Sequence, residues 1–210
     1  MTARGPAYRI VTPRLVIRCW DPRDAPLAKE AIDSSLDHLR AWMPWAHHEP
    51  QTLAEKVELV RSFRSRFDSG ADYVYGIFAR DESIAVGGSG LHTRVGADAF
   101  EIGYWIRADW TGRGLCTEAT AALTRVGFEL AGAERIEIHV DPANASSLAV
   151  PRKLGYAEEA TLRRRLPGRP GEPKRDAVIF SMLAEELPGS AAAAASEGIA
   201  AFDATGSKLR

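Results

Sequence analysis

An apolar strand-like run, a Gly-x-Gly turn and a helix-like run follow one another directly, and this succession constrains the fold more than any other feature. The strand-like run is FEIGYWI, residues 100–106, and the glycines of DWTGRGLCTEA are Gly112 and Gly114. Glycine is costly at the start of a helix unless the backbone must approach something closely. Because helix N-termini carry unpaired N–H groups and a partial positive charge, the segment predicts an anion site.

Two common nucleotide-binding loops do not fit this segment. A P-loop needs Gly-x-x-x-x-Gly-Lys-Ser/Thr, which is absent, and a dinucleotide fingerprint needs a third glycine where this chain has Thr117. The sequence therefore favours a pyrophosphate cradle of another kind.

Strand and helix patterns alternate along most of the chain. Residues 14–20, 73–79, 83–93, 135–140 and 176–183 are β-like, and residues 115–130 carry apolar side chains at helical spacing. Thr52 and Glu55 resemble a capping box, and Asp21 precedes Pro22 at the start of another helix. We expect an α/β or α+β fold with a mixed sheet.

The composition limits the classes of protein. The 210 residues fit one domain, and a net charge of −1 argues against a general nucleic-acid binder. The apolar runs are too short for a membrane span, and the N-terminus has no apolar signal core. With only Cys19 and Cys116 available, we expect a cytoplasmic protein without a disulfide framework.

The last part of the chain differs in composition. From Pro188 the sequence is rich in alanine, glycine and serine. We expect a domain over residues 1–187 and a loosely ordered tail over residues 188–210.

Two segments together carry a family resemblance. EIGYWIRADWTGRGLCTEA and the later NASSLAVPRKLGY resemble the GNAT superfamily of acyl-CoA-dependent N-acyltransferases, and in particular its RimJ/RimL branch. The resemblance extends over residues 8–187. It implies a mixed sheet that is splayed open at the acyl-CoA site, with helices on both faces. It also implies direct attack of a primary amine on acetyl-CoA, without a metal and without a covalent enzyme intermediate.

The resemblance assigns the cofactor contacts to two stretches. The pantetheine arm would pair with the backbone around Trp105, Ile106 and Arg107. The pyrophosphate would rest on the loop and first helical turn, namely Thr111, Gly112, Arg113, Gly114, Leu115, Cys116 and Thr117. Thr111 replaces the family's Gln or Arg, and Cys116 replaces its small Gly or Ala. A solvated Arg113 is an equal alternative to a phosphate contact.

The resemblance also suggests how the leaving thiolate is protonated. In the family, the positions of Asn144 and Ser147 contact the cofactor and supply this proton. Pro151 stands where many members have a tyrosine acid, so the role passes to Ser147. Helix capping is the alternative role for Asn144 and Ser147.

Glu101 and His92 are the candidates for the general base. A strand carboxylate can take the proton of an attacking ammonium, directly or through water. Glu101 could instead pair with a nearby arginine. His92 lies near the position where RimL-like enzymes have a glutamate. His47 and His48 have no convergent ligands, so no metal site is expected.

The acceptor stays open at this level. The aromatic segment of residues 42–45 could line an acceptor pocket or pack in the core, and we expect the basic run of residues 163–175 to be a solvated hairpin loop. A succinyl-CoA or other acyl-CoA transferase and a non-catalytic acyl-CoA sensor are the alternative functions. The sequence does not decide between a monomer and a homodimer.

Overall fold

Within residues 5–210, nine strands form one continuous sheet, with a single parallel pair of neighbours. The computed structural model of the protein describes residues 5–210. The strands are β1 (Arg9–Val11), β2 (Leu15–Cys19), β3 (Tyr73–Ala79), β4 (Ala85–His92), β5 (Ala99–Ile106), β6 (Arg135–Val140), β7 (Ala157–Leu166), β8 (Arg175–Leu183) and β9 (Ala200–Phe202). Their order in the sheet is β7-β8-β6-β5-β4-β3-β2-β1-β9, and only β5 and β6 run parallel among them.

Helices cover both faces of this sheet. They are α1 (Ala25–Asp33), α2 (Leu36–Arg40), α3 (Leu53–Asp68), α4 (Leu115–Glu129), α5 (Ala145–Leu154) and α6 (Ala191–Ala195). Successive strand residues point to opposite faces. Accordingly Val16 and Phe78 pack in one apolar cluster with residues of α1 and α3, whereas Ile17 and Ile77 pack in another with residues of α4. The expected mixed sheet with helices on both faces is confirmed.

The sheet divides in the middle, between its two parallel strands. β5 pairs with β6 only from Ala99 to Glu101, opposite Arg135 to Glu137. Beyond that point β5 remains paired with β4 as far as Ile106, and β6 remains paired with β8 as far as Val140. A gap therefore opens between two otherwise intact half-sheets, as the family resemblance implied.

Local sequence signals place the helix starts. Thr52 Oγ1 accepts from the Glu55 N–H at 3.3 Å, and a Glu55 carboxylate oxygen accepts from the Thr52 N–H at 2.7 Å, which confirms the predicted capping box. Asp21 forms a similar box with Asp24 over a short 3-10 turn that leads into α1. None of the helices within residues 5–210 is long and apolar enough to cross a membrane.

The expectation of a loosely ordered tail over residues 188–210 is wrong. Strand β9 extends the sheet by pairing with β1, and Ala192, Ile199 and Ala201 are at most 5% exposed. Arg125 of α4 donates to Ser196 Oγ at 2.8 Å and to the Ala193 carbonyl oxygen at 2.6 Å. The small alanine side chains allow this close packing. The sequence pattern alone did not reveal that α4 and the edge of β1 form the surface on which the tail packs.

The basic run also differs from expectation. Arg163, Arg164 and Arg165 belong to strand β7 rather than to a loop, and their side chains are exposed. The pairing with β8 is irregular between Leu162 and Leu166, and Arg164 has a positive φ of 55°. An edge strand with a bulge and charged side chains resists pairing with other chains.

Removal of residues 188–210 should destabilise the protein. Loss of one buried isoleucine alone lowers the free energy of unfolding by about 1.5–3 kcal/mol. For a chain of this size, a loss of 1 kcal/mol lowers the melting temperature by about 2–4 °C. We expect the melting temperature to fall by at least about 4 °C in a thermal scan followed by circular dichroism. Leu209→Ala is the control, because that side chain is 42% exposed and should change little. An unchanged melting temperature after truncation would contradict the docking of the tail.

Candidate active site

The turn between β5 and α4 presents free backbone amides. Gly114 precedes α4 with a φ of 74°, and Gly112 has a φ of 73°. The first helical bond runs from the Glu118 N–H to the Gly114 carbonyl oxygen at 3.1 Å, so the amides of the three residues between them have no acceptor in the helix. A Cβ atom on Gly112 would meet no atom of residues 5–210 within 4 Å. The predicted anion site therefore has both the donors and the open space.

Arg14 of the turn between β1 and β2 holds this segment in place. Its Nη1 donates to the Arg113 carbonyl oxygen at 2.8 Å, and its Nε pairs with the Glu118 carboxylate at 2.6 Å. Glu118 would otherwise repel an anion bound at the helix start. Arg14 therefore holds the turn and neutralises the nearest negative charge.

The side chains of Arg107 and Arg113 both bind groups within the protein. The guanidinium of Arg107 pairs with Glu30 at 2.7 and 2.9 Å and with Asp109 at 2.7 Å, and the side chain is only 8% exposed. It joins α1 to the turn instead of offering a free charge. Arg113 lies over the Trp110 ring at 4.9 Å and donates to the Asp109 carbonyl oxygen at 2.8 Å.

The side chains of the first helical turn belong to the core. Leu115 is 4% exposed, and Cys116 packs against the same apolar cluster. Burial raises the pKa of the Cys116 thiol to about 12, and a hydrogen bond with Thr120 only partly offsets it. Such a thiol stays protonated at neutral pH and is a poor nucleophile.

One side of β5 faces the gap in the sheet. The Arg107 N–H donates to the Val86 carbonyl oxygen of the β4 side at 3.0 Å. The N–H and C=O groups of successive residues point to opposite sides of a strand, so those of Tyr104 and Ile106 point away from β4 and toward the gap. Both residues lie past Glu101, the last residue of β5 that pairs with β6. They are available to an extended ligand, whereas Trp105 faces Gly88 of β4 in the register.

A cavity of about 990 Å³ runs past this gap. Its lining includes Asn144 and Ser147 at the start of α5 and the aromatic segment of residues 42–45. The rings of Trp45 and Trp105 meet edge to face with centroids 5.9 Å apart. The aromatic segment thus lines a cavity rather than only filling the core.

His92 projects into this cavity as part of a histidine–carboxylate pair. Its Nδ1 lies 3.0 Å from Asp72 Oδ1, and Arg66 pairs with the other Asp72 oxygen at 2.7 Å. A Cβ atom on Gly90 would lie 2.7 Å from the imidazole, so a glycine there makes room for the ring. Burial raises the pKa of Asp72, but the bond with His92 and the nearby positive charges together lower it by more, so the pKa lies below its usual value.

Glu101 lies beside His92 in the register and is bound on several sides. Arg94 donates to its two oxygens at 2.7 and 2.6 Å, and His139 Nδ1 lies 3.7 Å from Oε2. Burial raises the pKa of Glu101, whereas the bonds from Arg94 and the nearby imidazoles lower it, with a net shift downward. Glu101 is therefore paired with an arginine, which was the alternative to its role as general base.

Asn144 and Ser147 separate into two roles at the start of α5. Asn144 Oδ1 accepts from the Ser147 N–H at 3.1 Å and caps the helix. The Ser147 hydroxyl instead donates to Tyr104 Oη at 3.1 Å, and Tyr104 donates to the Ser147 carbonyl oxygen at 3.1 Å. The capping role belongs to Asn144, which leaves the hydroxyl of Ser147 in the cavity.

Comparison with known proteins identifies the family. Residues 14–157 match the family model described as an acetyltransferase (GNAT) domain, which is more than half of the chain. The chain belongs to the GNAT acetyltransferase family. It is an N-acetyltransferase of the RimJ/RimL-like branch.

Individual GNAT relatives agree with this assignment. YdaF of Bacillus subtilis is 28% identical over 181 residues, covering 85% of this chain and 96% of that protein. The [ribosomal protein uS5]-alanine N-acetyltransferase of Escherichia coli is 27% identical, covering 73% of this chain and 80% of its own. The structure of Mycobacterium smegmatis RimJ in complex with CoA-disulfide matches with a TM-score of 0.79 and 28% identity, over 90% of this chain and 94% of that one.

Several residues of the GNAT site were not found from the sequence. Asp72, Arg94 and His139 contact the base candidates, and Tyr104 contacts Ser147. For His139 the sequence offered a partial signal, because the alternation along β6 places His139 on the same face of the strand as Glu137. Within residues 5–210 no group of three or more metal-ligating side chains could hold a metal ion.

Replacing Gly114 with glutamate should weaken coenzyme A binding by about 100-fold or more in calorimetry. The substitution places a side chain and a negative charge where the amides would bind an anion, and each charge-assisted bond lost costs about 1.5–3 kcal/mol. Gly132→Glu is the matched control, since Gly132 has a φ of 73°, within 1° of that of Gly114, and lies beyond the other end of α4. Equal affinities of the two variants would contradict an anion site at Gly114.

Proposed function

We propose that this enzyme transfers the acetyl group of acetyl-CoA directly to the α-amino group of a protein N-terminus. The observation that carries the proposal is the cavity, whose lining brings Tyr104 at the gap of the sheet and Ser147 together with the His92–Asp72 pair. The relatives include an enzyme named for N-acetylation of a ribosomal-protein alanine, which supports the same class of acceptor. The two free cysteines are compatible with the cytoplasm.

The cofactor would bind across the gap. Its pyrophosphate would rest on the amides of the first turn of α4, where the helix dipole offsets its charge and Arg14 neutralises the nearby Glu118 carboxylate. The pantetheine arm would pair with the free backbone of Tyr104 and Ile106. A backbone N–H of β5 beside the thioester would then stabilise the oxyanion during attack.

His92 is the better candidate for the general base. Asp72 orients its Nδ1, which leaves Nε2 to take a proton from the attacking ammonium. Glu101 remains ionised because its pKa is lowered, and both of its oxygens are already bound by Arg94. Glu101 then acts on the acceptor through charge rather than through proton transfer.

The charges of the cavity favour an acceptor with a single amine. Each carboxylate among its lining residues has a basic partner, in the pairs Lys56–Glu49, Arg66–Asp72, Arg94–Glu101 and Arg175–Asp141. Arg165 adds a further positive charge at the wall. A polyamine or an aminoglycoside carries several ammonium groups and would find no surplus of negative charge here.

An acceptor panel tests the proposal through the release of free thiol from acetyl-CoA. We expect turnover with peptides that have a free N-terminus, and at least tenfold lower kcat/KM with a polyamine or an aminoglycoside. The same peptides with a blocked N-terminus and a retained lysine are the control. Faster reaction with the polyamine would overturn the acceptor class, whereas binding without turnover on any amine would indicate a sensor. Preference for succinyl-CoA would indicate a different acyl transfer.

His92→Asn should lower kcat/KM by about 100-fold or more at neutral pH, within the usual range for a general base. Raising the pH should restore part of the rate, because more of the acceptor amine is then already neutral. His139→Asn is the matched control, since His139 also pairs with a carboxylate in the same cavity. Glu101→Gln should have a smaller effect than His92→Asn. If His139→Asn is the more damaging variant, His139 is the base.

A further inference from the structure

The leaving thiolate needs a proton, and the family's usual phenol is missing from α5. Pro151 occupies that position and has no proton to donate. An aliphatic hydroxyl such as that of Ser147 is a weaker acid than a phenol. Its ability to donate to sulfur therefore depends on what holds it and what it is hydrogen-bonded to.

The structure supplies a phenol from another element. We propose that Tyr104 of β5 is a positioning residue that holds the Ser147 hydroxyl and stabilises it while its proton passes to the sulfur. This inference rests on the proposed function. It is drawn from the two contacts of 3.1 Å by which Tyr104 Oη accepts from Ser147 Oγ and donates to the Ser147 carbonyl oxygen.

These two contacts fix the geometry of the pair. Asn144 holds the Ser147 N–H, and Tyr104 holds its hydroxyl and its carbonyl oxygen, so three polar groups of Ser147 are anchored. Tyr104 is adjacent to the gap on β5, where the thioester would lie. The hydroxyl of Ser147 is therefore kept at the cavity wall in a single orientation.

The proton movements balance without a charged tyrosine. In the structure the one Ser147 proton is directed at Tyr104, so the two hydroxyls must first exchange roles: Tyr104 turns its O–H from the Ser147 carbonyl oxygen to Ser147 Oγ, which frees the Ser147 proton. Donation from Tyr104 to Ser147 Oγ then strengthens the serine as a donor. When the C–S bond breaks, sulfur keeps the electron pair and takes the Ser147 proton, and the proton that the acylated nitrogen loses returns to Ser147 Oγ through water. Burial raises the pKa of Tyr104 far above its usual value, with a smaller opposing effect of the bond from Ser147, so Tyr104 remains neutral throughout.

Another tyrosine provides a matched control. Tyr156 Oη lies 2.6 Å from Thr124 Oγ1, and this hydroxyl pair is buried in the core away from the cavity lining. Tyr156→Phe removes the same atom as Tyr104→Phe. A merely structural hydroxyl should affect stability in both variants and turnover in neither.

The experiment is a double-mutant cycle on kcat with acetyl-CoA and a peptide acceptor. Ser147→Ala should lower kcat by about 100-fold, Tyr104→Phe by at least about tenfold, and the double variant should be no more than about threefold slower than Ser147→Ala. Coenzyme A affinity should stay within a few-fold in all three, because only a transition-state interaction is removed. Tyr156→Phe should lower the melting temperature and leave kcat unchanged.

Several outcomes would overturn the inference. The two hydroxyls do not act as a unit if Tyr104→Phe keeps the kcat of the wild type. The same conclusion follows if the double variant loses the product of the two single-variant effects on kcat. If Tyr104→Phe does not fold, 3-fluorotyrosine at position 104 retains the hydroxyl and should change kcat, whereas the same substitution at position 156 should not. Absence of turnover in the wild type and in Tyr156→Phe would instead count against the proposed function.

Discussion

The divergence of β5 from β6 is the constraint on which the site depends. Backbone groups of a sheet are normally paired on both sides, and unpaired buried groups are costly. Here β5 keeps its partner β4 as far as Ile106, and β6 keeps its partner β8 as far as Val140, so each of the two strands remains hydrogen-bonded on its other side. The polar groups left free between them face a cavity, where water or a ligand can satisfy them.

The same divergence brings the chemical groups together. The gap lies next to the turn that begins α4, and the start of α5 follows the end of β6 directly. Tyr104 at the backbone edge of β5 and Ser147 therefore line one cavity, and the turn with the free amides follows β5 along the chain. His92 and Glu101 lie opposite each other where β5 begins to separate from β6, and both line the cavity.

Ion pairs balance the charge of the cavity lining and join the elements that form it. Lys56 and Glu49 form a buried pair whose side chains are 1% and 3% exposed, and it ties the segment after α2 to α3. Removing one partner of such a pair typically costs about 3–5 kcal/mol, because the other charge is left buried. The aromatic segment of the cavity wall is thus held in place by a polar contact as well as by packing.

Local signals in the sequence predicted much of the fold and part of the site. The anion site could be predicted from Gly112 and Gly114 because the effect of a glycine on the backbone is confined to its own turn and is visible in a short motif. The pairs Asp72–His92 and Tyr104–Ser147 join residues from different elements, and no short motif marks such contacts. The tail was mistaken for a loose segment for the same reason, since its order depends on Arg125 and on the edge of β1.

Amide hydrogen exchange measured by NMR, with and without coenzyme A, tests the central role of the gap most directly. If the pantetheine arm pairs with the free edge of β5, exchange of the Tyr104 and Ile106 amides should slow markedly on binding. The amides of Gly103 and Trp105, which face β4, should change much less. Protection confined to the start of α4, with no change at Tyr104 or Ile106, would contradict the account.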